Sequence, residues 1–291
     1  MATQPGNAPP GESEATRLRI YLLPNLLTAG NLFCGFLALT RIVEADVTVP
    51  GFNSVIRNAI FFIILACVFD LLDGRVARMG GYESPFGREF DSLADIISFG
   101  AAPAFLVHRV VLRDVFANHP EFGWFIASIY LICGAFRLAR FNCLAVQSQG
   151  GGGNEFLGFP IPAAAGLVSS ITLFLLWLDD YGWLEQRFAR TPWRYLLPVI
   201  LVFLSIMMVS QVKYPSFKKF DWRARRTFPR MVGTIVLVGF FLMAWRQVIP
   251  VLLPILFTAY LVYGFIRPRL SRKIVHDIED EDEDEDDEPA G

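Results

Sequence analysis

Apolar stretches recur along the whole chain at lengths that suit a lipid bilayer. Each run holds about 15 to 22 mostly apolar residues, and roughly 20 helical residues cross a hydrocarbon core. A bilayer leaves exposed backbone groups without water, and the runs lack the alternation of barrel strands, so the pattern predicts helices. About eight spans are expected, near residues 21–43, 59–72, 93–112, 123–141, 162–178, 195–209, 231–245 and 248–266.

Composition supports a membrane fold. The chain is 54% hydrophobic and 19% charged, with a mean hydropathy of +0.43, an apolar excess that a soluble domain of this length does not bury easily. We therefore predict an all-α, polytopic membrane helical bundle over residues 19–270. Residues 1–18 are predicted to be a disordered lead without signal-peptide character, and residues 271–291 a disordered acidic tail, either simply solvated or regulatory.

The basic residues predict the orientation of the bundle. With the N-terminus in the cytoplasm, most of the 26 Lys and Arg residues fall on the cytoplasmic side, as topology in membranes requires. An even number of spans then places both termini inside. The basic and aromatic stretch 217–230 lies beside a predicted span, where such residues bind lipid headgroups, so we expect membrane lipids and no nucleic acid as its partner.

Four carboxylates flank the turn between the second and third spans. Asp70 and Asp73 are three residues apart near the end of the second span, and Asp91 and Asp95 are four apart at the start of the third. Each pair shares one helical face. A short hairpin between the helices brings all four groups together at the cytoplasmic boundary, where repulsion and desolvation require a neutralising partner.

The residue types around these carboxylates indicate a metal and phosphate site. All the offered ligands are oxygens, with no His or Cys nearby, which favours a hard divalent cation. Gly74 and Ala77 continue the face of the first pair and leave room for a phosphorylated ligand. Arg78 can donate two hydrogen bonds to phosphate, and Gly87 permits close backbone approach.

A structural alternative stays open at this point. The four aspartates could form an interfacial salt-bridge lattice with Arg75, Arg78 and Arg88. Carboxylates at these spacings on consecutive helices, with small residues on the same face, favour a site over a lattice.

The same residues carry a resemblance to a known family. The string Asp70-x2-Asp73-Gly74-x2-Ala77-Arg78-x8-Gly87-x3-Asp91-x3-Asp95 resembles, at every fixed position, the signature of the CDP-alcohol phosphotransferases. The resemblance implies that the four aspartates surround two Mg2+ or Mn2+ ions, with Asp95 as the general base. It also implies nucleotide contacts from Gly74, Ala77, Arg78 and Gly87.

Other segments resemble one branch of this family, the membrane-integral phosphatidylserine synthases. They are residues 24–39, 89–104, 134–142, 158–166 and 212–219. This resemblance implies CDP-diacylglycerol as donor and L-serine as acceptor, with phosphatidylserine and CMP as products. It also implies a homodimer and a prokaryotic inner membrane.

A polar stripe on the first span offers further contacts. Asn25, Thr28 and Asn31 follow one another at three-residue spacing and should face the bundle. Contact with the nucleotide and hydrogen bonding between helices are equally good interpretations.

Basic residues at the cytoplasmic ends of the fourth and sixth spans are candidates for the acceptor site. Arg137 and Arg140 could hold a serine carboxylate, with Asn142 beside them and Lys213 from the sixth span. Anchoring of the topology is the alternative for the arginines.

Two other functions compete with serine transfer. A sibling transferase would use glycerol phosphate, an inositol compound or choline as acceptor. A non-enzymatic ion pathway would place charge in the middle of the spans, whereas the second to eighth spans are nearly free of charge at their centres.

Overall fold

The computed structural model describes residues 22–80, 84–147, 155–182, 195–210, 212–215 and 248–264 of the chain. Almost all of this part is helical, as the apolar pattern predicts. The elements are α1 (Leu22–Glu44), α2 (Phe52–Gly80), α3 (Pro85–Asp95), α4 (Ala102–Val107), α5 (Arg113–Val115), α6 (Pro120–Gln147), β1 (Glu155–Leu157), α7 (Ile161–Asp180), α8 (Leu196–Val209), β2 (Lys213–Pro215) and α9 (Ile249–Gly264).

Five helices in the described part are long and apolar enough to cross a membrane, which makes the chain a multi-pass membrane protein. They are Leu22–Glu44, Phe52–Met79, Pro85–Val115, Pro120–Leu144 and Ile161–Asp180. The predicted sixth and eighth spans correspond to the shorter apolar helices α8 and α9. The predicted seventh span, 231–245, lies outside the described residues. The structure therefore supports five of the eight predicted spans by length.

Two helices begin well before the apolar runs that predicted them. Helix α2 starts at Phe52, just after Gly51, whose φ of 102° suits glycine. Helix α3 starts at Pro85, behind Ser84, whose hydroxyl accepts a hydrogen bond from the Gly87 backbone N–H at 3.0 Å. A serine cap followed by proline is a favourable helix start, so caps and not hydropathy set these boundaries.

The third span is continuous from Pro85 to Val115 but contains two π-helical segments, Ile96–Ala101 and His108–Leu112. Such segments are rare and often lie at functional sites. In the first of them the buried Ser98 hydroxyl donates to the Asn31 carbonyl of α1 at 3.0 Å. Gly35 of α1 makes this approach possible, because a Cβ there would lie 2.2 Å from Ser98 Oγ.

The third span and α7 form the centre of the bundle. Phe99 and Leu106 on the third span and Leu173 on α7 are buried. By contrast α1, α2 and α6 expose large apolar side chains such as Phe33 and Trp124. In a bilayer these outward faces contact lipid, so they need no further protein cover.

A short antiparallel pair of strands joins the segments that precede α7 and follow α8. Phe156 in β1 lies opposite Tyr214 in β2. The Gly158 backbone N–H donates to the Val212 carbonyl at 2.9 Å, and the Phe159 N–H donates to the Met207 carbonyl at 3.1 Å. The start of α7 is thereby fixed to the end of α8.

At the opposite end of the bundle, a polar clamp joins α2 to α7. The Asn53 amide donates to Asp179 Oδ2 at 2.8 Å and to Asp180 Oδ1 at 3.1 Å. Arg57 forms an ion pair with Asp180. These four residues, the α2–α7 clamp, satisfy both acidic groups with donors from the start of α2.

Candidate active site

The structure brings the predicted carboxylates together. Asp70 and Asp73 lie in the last third of α2, and Asp91 and Asp95 lie in the second half of α3. One carboxylate oxygen each from Asp70, Asp91 and Asp95 fall within 4.8 Å of one another. Asp73 lies beside this trio, close enough to Asp70 and Asp91 for mutual repulsion. We call these four residues the aspartate cluster.

Helix α1 holds the cluster from the other side. The Thr28 hydroxyl lies 2.8 Å from Asp73 Oδ2, and the Asn31 amide nitrogen donates to Asp95 Oδ1 at 3.2 Å. Both side chains are buried. Of the two interpretations of the polar stripe, hydrogen bonding between helices therefore describes Thr28 and Asn31. Each of the two side chains donates a hydrogen bond to a carboxylate of the cluster.

Asn25, the third member of the stripe, lies one turn closer to the membrane boundary. Its side-chain oxygen faces Gly87, where a Cβ would approach it to 3.4 Å. Its amide nitrogen is buried and has no hydrogen-bond partner among the described residues. An unused buried donor beside the cluster is a costly feature unless a ligand accepts from it.

The salt-bridge lattice is not formed in the described part of the chain. No ion pair within 4.0 Å there joins the aspartate cluster to Arg75, Arg78 or Arg88; the pairs present lie elsewhere. Arg78 is exposed, and its guanidinium lies over Gly74, where a Cβ would come within 3.3 Å of Nη1. Ala77 is half-buried on the same stretch of α2.

In the described part of the chain, no ion pair neutralises the negative charge of the cluster. Asp73 and Asp95 are only 5% and 6% exposed, and Asp91 Oδ1 is buried without a hydrogen-bond partner in the described residues. Carboxylates in such a place need a cation. Three converging carboxylate oxygens, with no nitrogen or sulfur ligand, fit a hard divalent cation such as Mg2+ or Mn2+.

The predicted acceptor residues separate into two groups. Arg140 donates to the Val209 carbonyl at 3.0 Å and the Ser210 carbonyl at 3.3 Å, so it ties α6 to the end of α8. Asn142 donates to Ser92 Oγ at 3.0 Å, which ties α6 to α3. These hydrogen bonds of both residues are contacts between elements. Lys213 lies in β2, opposite Leu157.

Arg137 is the predicted acceptor residue that faces the cluster. Its side chain is only 8% exposed, and its Nε has no partner among the described residues. It lies in electrostatic range of Asp95 and Asp70 but makes no ion pair with either within 4.0 Å in the described part. A buried guanidinium with an unused N–H beside a metal-type site can receive an anion.

One residue at this site was missed by the sequence analysis. Tyr260 of α9 stacks at a tilt on Phe159, with ring centroids 5.8 Å apart. It also lies in electrostatic range of Arg137. Tyr260 belongs to no motif. The one sequence feature that could have indicated it is its position with Leu253 and Phe257 on the same face of an apolar helix.

Comparisons with known proteins indicate the family of the chain. A sequence model described as CDP-alcohol phosphatidyltransferase matches residues 21–208. The chain is 34% identical over 248 residues to the CDP-diacylglycerol–serine O-phosphatidyltransferase of Helicobacter pylori, covering 85% of this chain and 91% of that one. It is 33% identical over 197 residues to the Bacillus subtilis protein of the same name, covering 68% and 92%. The archaetidylserine synthase of Methanothermobacter thermautotrophicus is 33% identical over 195 residues, covering 66% and 69%.

Proposed function

The chain belongs to the CDP-alcohol phosphatidyltransferase family, and on that basis we propose that it transfers the phosphatidyl group of CDP-diacylglycerol to the hydroxyl of L-serine. The products are phosphatidylserine and CMP. The observation that carries this proposal is the partly buried aspartate cluster, which forms no ion pair in the described part of the chain. It lies in a chain whose bacterial relatives bear the name of this activity across most of its length.

The aspartate cluster is proposed to hold two divalent cations, Mg2+ or Mn2+. Asp70, Asp91 and Asp95 supply converging oxygens, and Asp73 adds a fourth carboxylate held by Thr28. When bound, such cations offset the charge that develops on the diphosphate as CMP departs.

Asp95 is the proposed general base. It takes the proton of the serine hydroxyl while the hydroxyl oxygen forms a bond to the phosphorus that carries the diacylglycerol. The bond from that phosphorus to the CMP oxygen breaks, and CMP leaves with its electron pair. The Asn31 amide holds Asp95 Oδ1 and so orients the carboxylate. Proton transfer by a positioned group is typically worth about a hundred-fold to ten-thousand-fold in rate.

The nucleotide is proposed to lie along the exposed side of the cluster. Arg78 can pair with phosphate from above Gly74 and Ala77, since its guanidinium is exposed there. Asn25 and Gly87 form the adjacent wall, and the unpartnered Asn25 amide supplies a donor. Thr28 and Asn31 serve the nucleotide indirectly, by holding the carboxylates.

The acceptor is proposed to bind on the opposite side of the cluster, at Arg137. Its buried guanidinium faces Asp95 and can hold the carboxylate of serine while the hydroxyl points at the base. Arg140 and Asn142 frame this side through the helix ends that they join. Lys213 in β2 completes the frame in our proposal.

The membrane arrangement follows from the same proposal. Both termini lie in the cytoplasm, the site lies at the cytoplasmic boundary of the inner membrane, and residues 231–245 supply a seventh of eight spans. Residues 1–18 and 271–291 lie outside the membrane domain, 19–270. Two copies form a homodimer, as the family resemblance implies. The excess of Lys and Arg in the loops on the site side supports this orientation.

The test is a CMP-release assay on detergent-solubilised protein with CDP-diacylglycerol, Mn2+ and a panel of alcohols. Serine alone should support release, and Asp95→Asn should lower the rate by about a hundred-fold or more. Release with glycerol phosphate, an inositol compound or choline in place of serine would overturn the acceptor. Absence of release with every alcohol, from protein that melts cooperatively, would overturn the enzymatic proposal.

A further inference from the structure

Helix α9 lies beyond the residues that the family model matches, which end at 208, yet it packs on the catalytic bundle. Its inner face is a helical stripe that includes Leu253, Phe257 and Tyr260. Its outer face exposes Ile255 and Tyr263 among other apolar residues. The helix therefore has one face for the protein and one for lipid.

Phe257 fixes the position of α9 on α7. Its ring fills the space above Gly166, where a Cβ would lie 2.2 Å from the ring's Cζ atom. Any larger residue at Gly166 would push the ring away. Because Tyr260 follows Phe257 by one helical turn, this contact sets where Tyr260 reaches the bundle.

Tyr260 reaches it beside Phe159. The two rings are tilted by 39° with centroids 5.8 Å apart. Phe159 is fully buried, and its backbone N–H donates to the Met207 carbonyl, so the partner of the Tyr260 ring is itself fixed. The contact places the Tyr260 ring beside the segment that leads into α7.

On α6 the neighbouring group is Arg137. Gly134, one turn earlier, lets α6 approach α7, because a Cβ there would lie 2.6 Å from Ile161 Cδ1. Arg137 lies one turn along α6 from this contact, in electrostatic range of Tyr260 and Asp95, with its Nε unpartnered among the described residues. A planar guanidinium binds a carboxylate through two parallel hydrogen bonds only when its plane is correctly turned.

We propose that Tyr260 is a positioning residue for the acceptor: its hydroxyl, placed by the contacts with Phe159 and Gly166, orients the Arg137 guanidinium so that it receives the carboxylate of the amino-acid acceptor. This inference rests on the proposed function. Helix α9, outside the residues that the family model matches, would then contribute to binding of the acceptor serine. It would take no part in the chemical step.

The first test compares Tyr260→Phe with Tyr263→Phe. Tyr260→Phe keeps the ring on Phe159 and removes only the hydroxyl, whereas Tyr263, 55% exposed on the outer face, is the matched control on the same helix. Tyr260→Phe should raise the KM for serine by about ten-fold, the scale of one hydrogen bond to a charged group. Its kcat and its KM for CDP-diacylglycerol should stay within about two-fold of wild type, a change smaller than the loss of one hydrogen bond would cause. Tyr263→Phe should match wild type in all three.

A second test asks whether Tyr260 acts through Arg137. Arg137→Lys should also raise the serine KM, and adding Tyr260→Phe to it should raise the KM no further, because the group being oriented is gone. Additive effects in the double variant would contradict the proposal. So would an unchanged serine KM in Tyr260→Phe, or a fall in kcat with KM unchanged.

The outcomes separate this inference from the function on which it rests. Wild-type protein that releases CMP with serine, together with a Tyr260→Phe variant indistinguishable from it, removes only the role of Tyr260. Wild-type protein that melts cooperatively but releases no CMP with serine removes both proposals.

Discussion

Helix α2 carries polar groups near both ends. Within the described part of the chain, only those near its start form an ion pair. Asn53 and Arg57 at its start meet Asp179 and Asp180 of α7 in the α2–α7 clamp, where every acid has a donor or a cation. About 25 Å away along the helix, Asp70 and its three neighbours form a cluster with no ion pair within 4.0 Å in the described part.

In our proposal, this difference separates acids that stabilise the fold from acids that bind a ligand. Paired groups such as those of the clamp gain from folding without any ligand. Unpaired buried carboxylates cost free energy until a cation binds. We propose that the bundle tolerates this cost because the cation and the substrates bind there. The lack of an ion pair at the cluster, within the described part of the chain, is therefore the most informative feature of the site.

The largest effect on activity is expected when one acid of the cluster is neutralised. Asp91→Asn keeps the shape of the side chain and removes a charge that we assign to the cation. The rate of CMP release should fall by roughly a thousand-fold, several kcal/mol of transition-state stabilisation. The melting temperature without divalent metal should not fall, because repulsion within the cluster is relieved. A variant that keeps more than a tenth of the rate would remove Asp91 from the proposed site.

A smaller effect is expected from the support on α1. Thr28→Val keeps the volume of the side chain and removes the hydroxyl beside Asp73 Oδ2. Loss of one hydrogen bond to a charged group predicts a fall in kcat of about ten-fold. The matched control is Thr40→Val, since Thr40 bonds only to the Leu37 carbonyl of its own helix among the described residues; its rate should equal that of wild type. Equal rates for the two variants would mean that Thr28 does not support the cluster.

The smallest effect on activity is expected at the clamp. Asp180→Asn removes the ion pair with Arg57, which is partly exposed. We expect a loss of about 1 kcal/mol or less in the free energy of unfolding, visible as a melting temperature lower by a few degrees. The rate of CMP release should remain close to that of wild type. A loss of activity comparable to that of Asp91→Asn would show that the two ends do not differ in the way we describe.

Much of the bundle could be predicted because hydropathy identifies the segments that are apolar enough to lie in a bilayer. Helices α1 and α7 match the predicted spans to within two residues, and α6 begins three residues earlier and ends six residues later than predicted. Helix α2 and α3 extend further, because their first turns are polar and depend on Gly51, on the Ser84 cap and on partners across the bundle. The π-helical segments after Asp95 also escaped prediction, since they arise from packing between helices.

The site was predictable to the extent that spacing fixes a helical face. The spacing within each aspartate pair and a short hairpin predicted that the four carboxylates meet. In the structure, oxygens of Asp70, Asp91 and Asp95 lie within 4.8 Å of one another. Spacing does not tell which partner a side chain meets across the bundle. For this reason the sequence did not predict that Arg140 ties α6 to the carbonyls at the end of α8. It also did not predict the contact of Tyr260 with Phe159, because Tyr260 lies on a helix with no motif.

The metal assignment is tested most directly by Mn2+ binding, measured by electron paramagnetic resonance on wild type, Asp91→Asn and Asp180→Asn in the same detergent. We expect wild type and Asp180→Asn to bind Mn2+ with the same affinity. Asp91→Asn should bind it at least about ten-fold more weakly, since one charged ligand is lost. Equal binding by all three proteins, or loss in Asp180→Asn alone, would contradict the assignment of the aspartate cluster as the metal site.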